Sequence, residues 1–225
     1  MSLISRMKSL LTSKAYRLFE RPYELNIIGL RSQNTVSGKF DDQIHVFYKA
    51  GALKWNYHIF KATTDPGTYW LKHPLQVDGT AILYNGQYKD AYAIGLHKGK
   101  YKALVQVRPV SVIRDYDRNA ILDFNNGVKK TGMYGINIHR ALSIGATTNV
   151  DKWSAGCQVF ENITDFNAFM ELCEKHRQLY GNKFTYTLID FRALNRATLR
   201  GIGYLAGGLL LIGSITYYYY ETSTD

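Results

Sequence analysis

The residues best suited to chemistry lie in one stretch of the chain, where a histidine is followed 18 positions later (157 minus 139) by a cysteine. His139 ends one apolar segment, and Cys157 begins another. A thiol attacks a carbonyl group only as the thiolate, and its reference pKa of about 8.5 keeps it protonated at neutral pH unless a base lies close. Histidine is the usual base, and the intervening loop is long enough to place the two segments side by side as strands. The spacing therefore predicts a cysteine nucleophile with a histidine base.

The residues immediately before Cys157 are consistent with a substrate cleft. Ala155 and Gly156 would let a carbonyl substrate approach the backbone, and the amides of Gly156 and Cys157 could donate to an oxyanion. We interpret Trp153 and Ser154 as candidate substrate-binding residues. The alternative is structural, because cysteine is also a common core residue and the tryptophan could serve only in packing.

Short segments rich in β-branched and aromatic residues must position this site. They predict strands at 43–49, 55–62, 80–84, 91–96, 101–107, 110–114 and 184–191. Turn signals such as Asp65-Pro66-Gly67 and Asn85-Gly86 separate them. We therefore predict a mainly β fold with one or two helices, arranged as a sandwich or a barrel.

One helix is predicted between Asp165 and Tyr180, with Thr164 as its N-cap and Gly181 as its stop. Its apolar stripe consists of Phe166, Phe169, Met170, Cys173 and His176. Cys173 is therefore interpreted as a core residue.

Composition limits the classes of function. The chain has 225 residues, a net charge of +10, 46% hydrophobic residues and two cysteines. This excludes a disordered chain and a disulfide framework, and it predicts one domain, with or without an appendage. The positive charge favours an anionic partner such as a membrane surface, a wall polymer or nucleic acid without choosing among them; no nucleic-acid partner is expected.

No metal site is predicted. Asp115, Asp117 and Asn119 have the spacing of a calcium loop, but Ala120 stands where such a loop needs glycine, so a solvated turn is favoured. Cys173 and His176 lack a second pair of ligands. The remaining histidines are interpreted as ordinary buried or surface side chains; they are His45, His58, His73 and His97.

The two ends of the chain suggest membrane contact. Residues 1–22 form a basic amphipathic segment, for which contact with lipid and packing on the domain surface both stay open. Its apolar runs are too short for a signal peptide. Residues 201–220 carry no charge and predict a single membrane-spanning helix, with a buried core helix or a β-hairpin as the alternatives.

The flanks of residues 201–220 suggest an orientation and a contact. A basic linker at 192–200 precedes the segment and an acidic tail at 221–225 follows it, which favours a cytoplasmic position for the large N-terminal part. Gly203 and Gly207 have the spacing of a helix-dimer motif, so a homodimer is a further expectation.

The segments GINIHR and SAGC resemble the signature of the L,D-transpeptidase catalytic domain, the YkuD type. The resemblance covers residues 40–191 of a domain predicted at 23–191. It implies a β-rich fold, a nucleophile at Cys157 and a base at His139 that is oriented by the backbone carbonyl of Arg140. It also implies oxyanion donors at Gly156 and Cys157.

The substrate implied by this resemblance is a peptidoglycan stem peptide, cleaved at an L-to-D bond through a thioester acyl-enzyme. No metal or organic cofactor is implied. The segments WNYHIFKATTDPG and SAGCQVF also resemble, less specifically, wall-directed proteins of tailed bacteriophages.

The chain departs from the family pattern at several positions. Ala155 replaces the usual histidine, Arg140 replaces a small residue, and Gln158-Val159 stands where asparagine is frequent. The acceptor therefore stays open: an amine would make the protein a transpeptidase, and water would make it a carboxypeptidase or endopeptidase. The alternative function is a non-catalytic wall-binding or virion-associated protein that reuses the fold. Its side of the membrane also stays open, because peptidoglycan lies outside the cytoplasmic membrane whereas the arginine bias places the domain inside.

Overall fold

The computed structural model describes residues 2–51, 54–125, 127–193 and 219–222. Its helices are α1 (Leu3–Ser13), α2 (Thr68–Lys72) and α3 (Ile163–Tyr180), with 3-10 turns at Asp151–Trp153 and Phe191–Ala193. Its strands are β1 (Asn26–Arg31), β2 (Asp42–Lys49), β3 (Lys54–Thr63), β4 (Thr80–Leu83), β5 (Gly86–His97), β6 (Tyr101–Gln106), β7 (Val110–Asp115), β8 (Lys130–Gly132), β9 (Ile138–Arg140), β10 (Gln158–Phe160), β11 (Phe184–Asp190) and β12 (Tyr219–Thr222).

Eight strands close into a barrel in the order β10-β9-β6-β5-β11-β1-β2-β3. The barrel closes where β10 pairs antiparallel with the end of β3, with Val159 opposite Thr63. The first half of β3 pairs instead with β12, and β4, β7 and β8 form a separate small sheet. The expected mainly β fold is confirmed, and of the two expected arrangements the chain adopts the barrel. The expectation of one or two helices was too low, because the described residues include three α-helices.

Helix α3 supplies one side of the main core. Phe166 and Phe169 pack against Phe160 of β10, with ring centroids 5.6 and 5.0 Å apart. The helix begins at Ile163, two residues before the predicted start at Asp165, because its N-cap is Asn162, which accepts a hydrogen bond from the Thr164 amide at 2.7 Å. It ends at Gly181, where φ is +84°.

Helix α1 lies against the outside of the barrel. Its buried residues are Ile4, Met7, Leu10 and Leu11, and they share a cluster with side chains of β1, β2 and β3. The Lys8 ammonium lies 3.8 Å from the centroid of the Trp55 ring. The apolar face of this amphipathic helix is therefore covered by the protein itself.

Most of the predicted membrane helix, including Gly203 and Gly207, lies outside the described residues. Its last two residues, Tyr219 and Tyr220, are in β12, so the prediction of helix was wrong there. None of the helices among the described residues has the length and apolar character of a membrane span. The anchor, its orientation and the homodimer stay predictions.

A buried ion pair links β1 to the chain that follows β3. The Arg31 guanidinium lies 2.8 Å from a carboxylate oxygen of Asp65 and donates to the carbonyls of Thr64 and Leu83, both at 3.0 Å. Asp42 accepts hydrogen bonds from the amide and hydroxyl of Thr64 at 2.6 and 2.8 Å. Burial raises the pKa of Asp65 to about 7, so this carboxylate depends on its cation to stay ionised.

Replacing Arg31 with methionine is expected to lower the free energy of unfolding by about 3–5 kcal/mol, because Asp65 and two buried carbonyls lose their partner. Urea unfolding of the two proteins measures the difference. The exposed Arg108 provides the control, and Arg108→Met is expected to stay within about 0.5 kcal/mol of the parent. Equal losses in the two variants would contradict the assignment.

Candidate active site

Strands β9 and β10 bring the two ends of the motif together. They are parallel neighbours, with Val159 opposite His139. Cys157, just before β10, thereby lies beside Asn137, just before β9, whose amide is 3.4 Å from the thiol sulfur. The sulfur is also 3.6 Å from the Gly135 carbonyl oxygen. Among the hydrogen bonds of the described residues, the thiol contacts these two backbone groups and not the His139 ring.

The His139 ring is buried and held by backbone. Its Nδ1 lies 2.8 Å from the carbonyl oxygen of Arg140, so this nitrogen carries the proton and donates. The Tyr101 hydroxyl donates to the same oxygen at 3.2 Å. The Arg140 guanidinium lies 4.2 Å from the centroid of the Tyr101 ring. Nε2 of His139 is thereby left as the basic nitrogen.

A second imidazole stacks on the first, and the sequence did not reveal it. The rings of His97 and His139 have centroids 4.0 Å apart and planes at 23°. The Asn137 side-chain amide is 3.1 Å from Nδ1 of His97, which fixes that ring from the other side. His97 ends β5 and Tyr101 begins β6, so only the pairing of that hairpin with β9 brings both to the site.

Burial determines the protonation of the resting site. It lowers the pKa of His139 to about 3, with the neighbouring His97 as a second cause. It lowers the pKa of His97 to about 4 and raises the pKa of the Cys157 thiol. The Cys157 thiol and the His139 imidazole are therefore both neutral at pH 7.

Ser154 organises the loop that precedes the nucleophile. Its hydroxyl accepts from the Gly156 amide at 3.1 Å and donates to the Cys157 carbonyl at 2.8 Å. Because its exposure is 0%, it positions the loop and does not reach a substrate, contrary to the sequence-based interpretation. The Gly156 amide is thus already bonded. In the described part of the chain no hydrogen bond uses the Cys157 amide, so this N–H group is available to a ligand.

Gly156 is required by both its backbone angle and its surroundings. Its φ is +119°, and a Cβ atom there would lie 2.3 Å from the carbonyl oxygen of Ala81 on β4. We expect Gly156→Ala to displace the loop, to lower the stability by about 1–3 kcal/mol and to change the alkylation rate of Cys157. Gly145→Ala is the matched control, because φ is +70° there but the space is open. Equal effects of the two substitutions would show that the Ala81 contact is unimportant.

A cleft of about 360 Å³ adjoins the loop at Ala155. Its walls are formed by Trp70, Leu75, Gln76, Gly79, Thr80, Ala81, Arg114, Met133 and Tyr134. Trp153 is 41% exposed but is not among them, so the aromatic wall comes from Trp70 instead. On the side of Tyr101 and Arg140 there is an open groove of about 840 Å³ along α3.

No protein-family model, curated protein or solved structure matches this chain. The resemblance to L,D-transpeptidases therefore depends on the GINIHR and SAGC segments alone.

The residues considered earlier as metal ligands take part in hydrogen bonds and packing within the protein. Asp115 is buried and accepts from the Asp123 amide at 3.0 Å, and Asp117 accepts from the Asn119 amide at 3.2 Å. Cys173 is buried in the core. Within the described ranges there is no group of three or more histidine, cysteine, aspartate or glutamate residues that could hold a metal ion.

Proposed function

We propose that this protein is a peptidoglycan-modifying cysteine enzyme of the L,D-transpeptidase type, with Cys157 as nucleophile and His139 as base. One observation carries the proposal: the 2.8 Å hydrogen bond from His139 Nδ1 to the Arg140 carbonyl, on the strand beside the cysteine. It orients a neutral imidazole so that Nε2 can accept a proton. The substrate is a stem peptide with an L-to-D bond.

The reaction requires the thiol to leave its resting partners. As the substrate carbonyl binds, the Cys157 sulfur turns from the Gly135 carbonyl, gives its proton to His139 Nε2 and attacks the carbonyl carbon. The Cys157 amide stabilises the oxyanion. The C–N bond then breaks, the imidazolium protonates the leaving amine, and a thioester remains. Water or a second amine resolves the thioester, which gives hydrolysis or transpeptidation.

Mass spectrometry of the full-length chain incubated with purified muropeptides tests this proposal. We expect an acyl adduct on the peptide that contains Cys157, together with loss of a terminal D-residue or a new cross-link. The product shows whether water or an amine is the acceptor. A folded protein that gives neither adduct nor product with several wall chemotypes would overturn the proposal.

A second candidate function is non-catalytic binding of wall material. The thiol of Cys157 and the imidazole of His139 are neutral at rest, which favours this candidate because binding does not need a reactive thiolate. Ala155, which replaces the histidine usual in the family, favours it as well. This candidate predicts saturable binding to peptidoglycan that Cys157→Ala leaves unchanged. Absence of binding would exclude it.

A further inference from the structure

The cleft beside Ala155 has an arginine, Arg114, in its wall. Gly156 abuts the carbonyl of Ala81, and Ala81 lies directly opposite Arg114 in the pairing of β4 with β7. Paired residues of antiparallel strands are about 5 Å apart. Arg114 and Ala155, which lies two residues before Cys157, line the same cleft.

Contacts hold the Arg114 side chain in place without using all the N–H donors of its guanidinium. Its side chain is 13% exposed, Nη1 donates to the Gly79 carbonyl at 3.0 Å, and the guanidinium lies 5.0 Å from the centroid of the Tyr134 ring. Its Nε is buried without a hydrogen-bond partner. A guanidinium has five N–H donors, and among the hydrogen bonds of the described residues none uses Nη2, so its two N–H groups are available for a ligand.

The charges around Arg114 leave an excess of one cation. Asp78 is its acidic neighbour, with a carboxylate oxygen 3.5 Å from Nε. The same oxygen accepts a hydrogen bond from Lys130 at 2.7 Å. Two cations thus share one carboxylate. The rest of the cleft is largely aromatic and apolar, with Trp70 and Met133 among its walls, so the anionic part of a ligand has one favoured position.

We propose that Arg114 binds a carboxylate group of the peptide whose carbonyl Cys157 attacks. A guanidinium matches a carboxylate with two parallel hydrogen bonds, and the low exposure of the site strengthens them. The identity of the ligand as a stem peptide rests on the proposed function. The carboxylate comes either from the C-terminal residue or from an acidic side chain of the peptide.

Binding is measured with the full-length Cys157→Ala protein, so that no reaction intervenes. The probe is a stem tetrapeptide with lysine as its third residue, in three forms: both carboxylates free, only the C-terminal one amidated, and only the glutamate one amidated. We expect the amide that removes the bound carboxylate to weaken binding about tenfold or more, since a charged hydrogen-bonded pair contributes about 1.5–3 kcal/mol. The form that loses affinity identifies the source.

Adding Arg114→Gln to Cys157→Ala is expected to weaken binding of the peptide that has both carboxylates free. Its affinity should fall to that of the amidated form that binds weakly to the Cys157→Ala protein, and the affinity for that amidated form should not fall further. Arg114→Lys keeps the charge but loses the paired N–H donors of the guanidinium. Its affinity is expected to lie between that of the Arg114→Gln protein and that of the protein with arginine, which separates loss of binding from a folding defect. Arg108→Gln, on an exposed residue, is the control and is expected to have no effect.

Unchanged affinity in Arg114→Gln, or no binding of any peptide, would overturn this inference. The proposed function is judged separately by the adduct on the wild-type protein. Adduct formation that is insensitive to Arg114→Gln would refute the role of Arg114 and still support the proposed enzyme. Carboxylate-dependent binding without any adduct would support the binding site at Arg114 and refute the proposed enzyme.

Discussion

The Cys157→Ala protein is expected to form no thioester and to lose turnover by at least about 10³-fold, because removal of a nucleophile leaves only binding and oxyanion stabilisation. The measurement is product formation from muropeptides, with intact mass recorded in parallel. Cys157 is half-buried and packs against the small cluster of Phe40, Ala141, Val150 and Val159, so its truncation to alanine removes a single sulfur atom from the fold.

The second cysteine supplies the control for this experiment. Cys173 is buried on α3, so Cys173→Ala removes a thiol from the core and not from the site. We expect it to retain turnover while it loses some stability. Wild-type turnover in the Cys157→Ala protein would refute a covalent mechanism through this residue.

The His139→Ala protein is expected to lose about 10²- to 10⁴-fold in the rate of thioester formation, the usual contribution of a general base. The loss should appear in the first chemical step, because the thiol is neutral at rest and cannot attack until its proton is accepted. Rapid-quench mass spectrometry of the acyl adduct measures this step. His73→Ala, at an exposed position on the surface, is the control.

The pH dependence gives this prediction a second test. Because burial lowers the pKa of His139 to about 3, the ring stays neutral, and so able to accept a proton, at pH values well below its usual range. We expect the acid limb of the rate of acylation near pH 3 to 4. An acid limb near pH 6.5, the ordinary value for histidine, would show that the ring is solvated or that it is not the base.

The motif and the strands beside it were predictable because they are local. His139 and Cys157 were identified from residue type and spacing, and β2, β3 and β6 have the alternating or β-branched pattern that marks a strand. The cap of α3 was misplaced because Asn162 and Thr164 are both good capping residues, and only the observed hydrogen bond distinguishes them.

The rest of the site depends on strand pairing, which the sequence does not specify. His97 and Arg114 reach the site from β5 and β7, and no local pattern separates them from ordinary strand residues. Ser154 was interpreted as a candidate substrate-binding residue. Its burial under the loop follows from contacts that a linear pattern cannot reveal.

The closure of the barrel by β3 and β10 has a consequence for folding kinetics. Thr63 and Val159 are 96 positions apart in the chain (159 minus 63), and they pair in the seam that closes the barrel. Forming contacts between such distant residues costs loop-closure entropy before any contact energy is gained, so these contacts slow folding. Cys157 immediately precedes β10, the strand that makes this seam. His139 and Cys157 meet through the pairing of β9 with β10, which lie close together in the chain. This contact can therefore form early, whereas the contacts of β10 with β3 form only when the barrel closes.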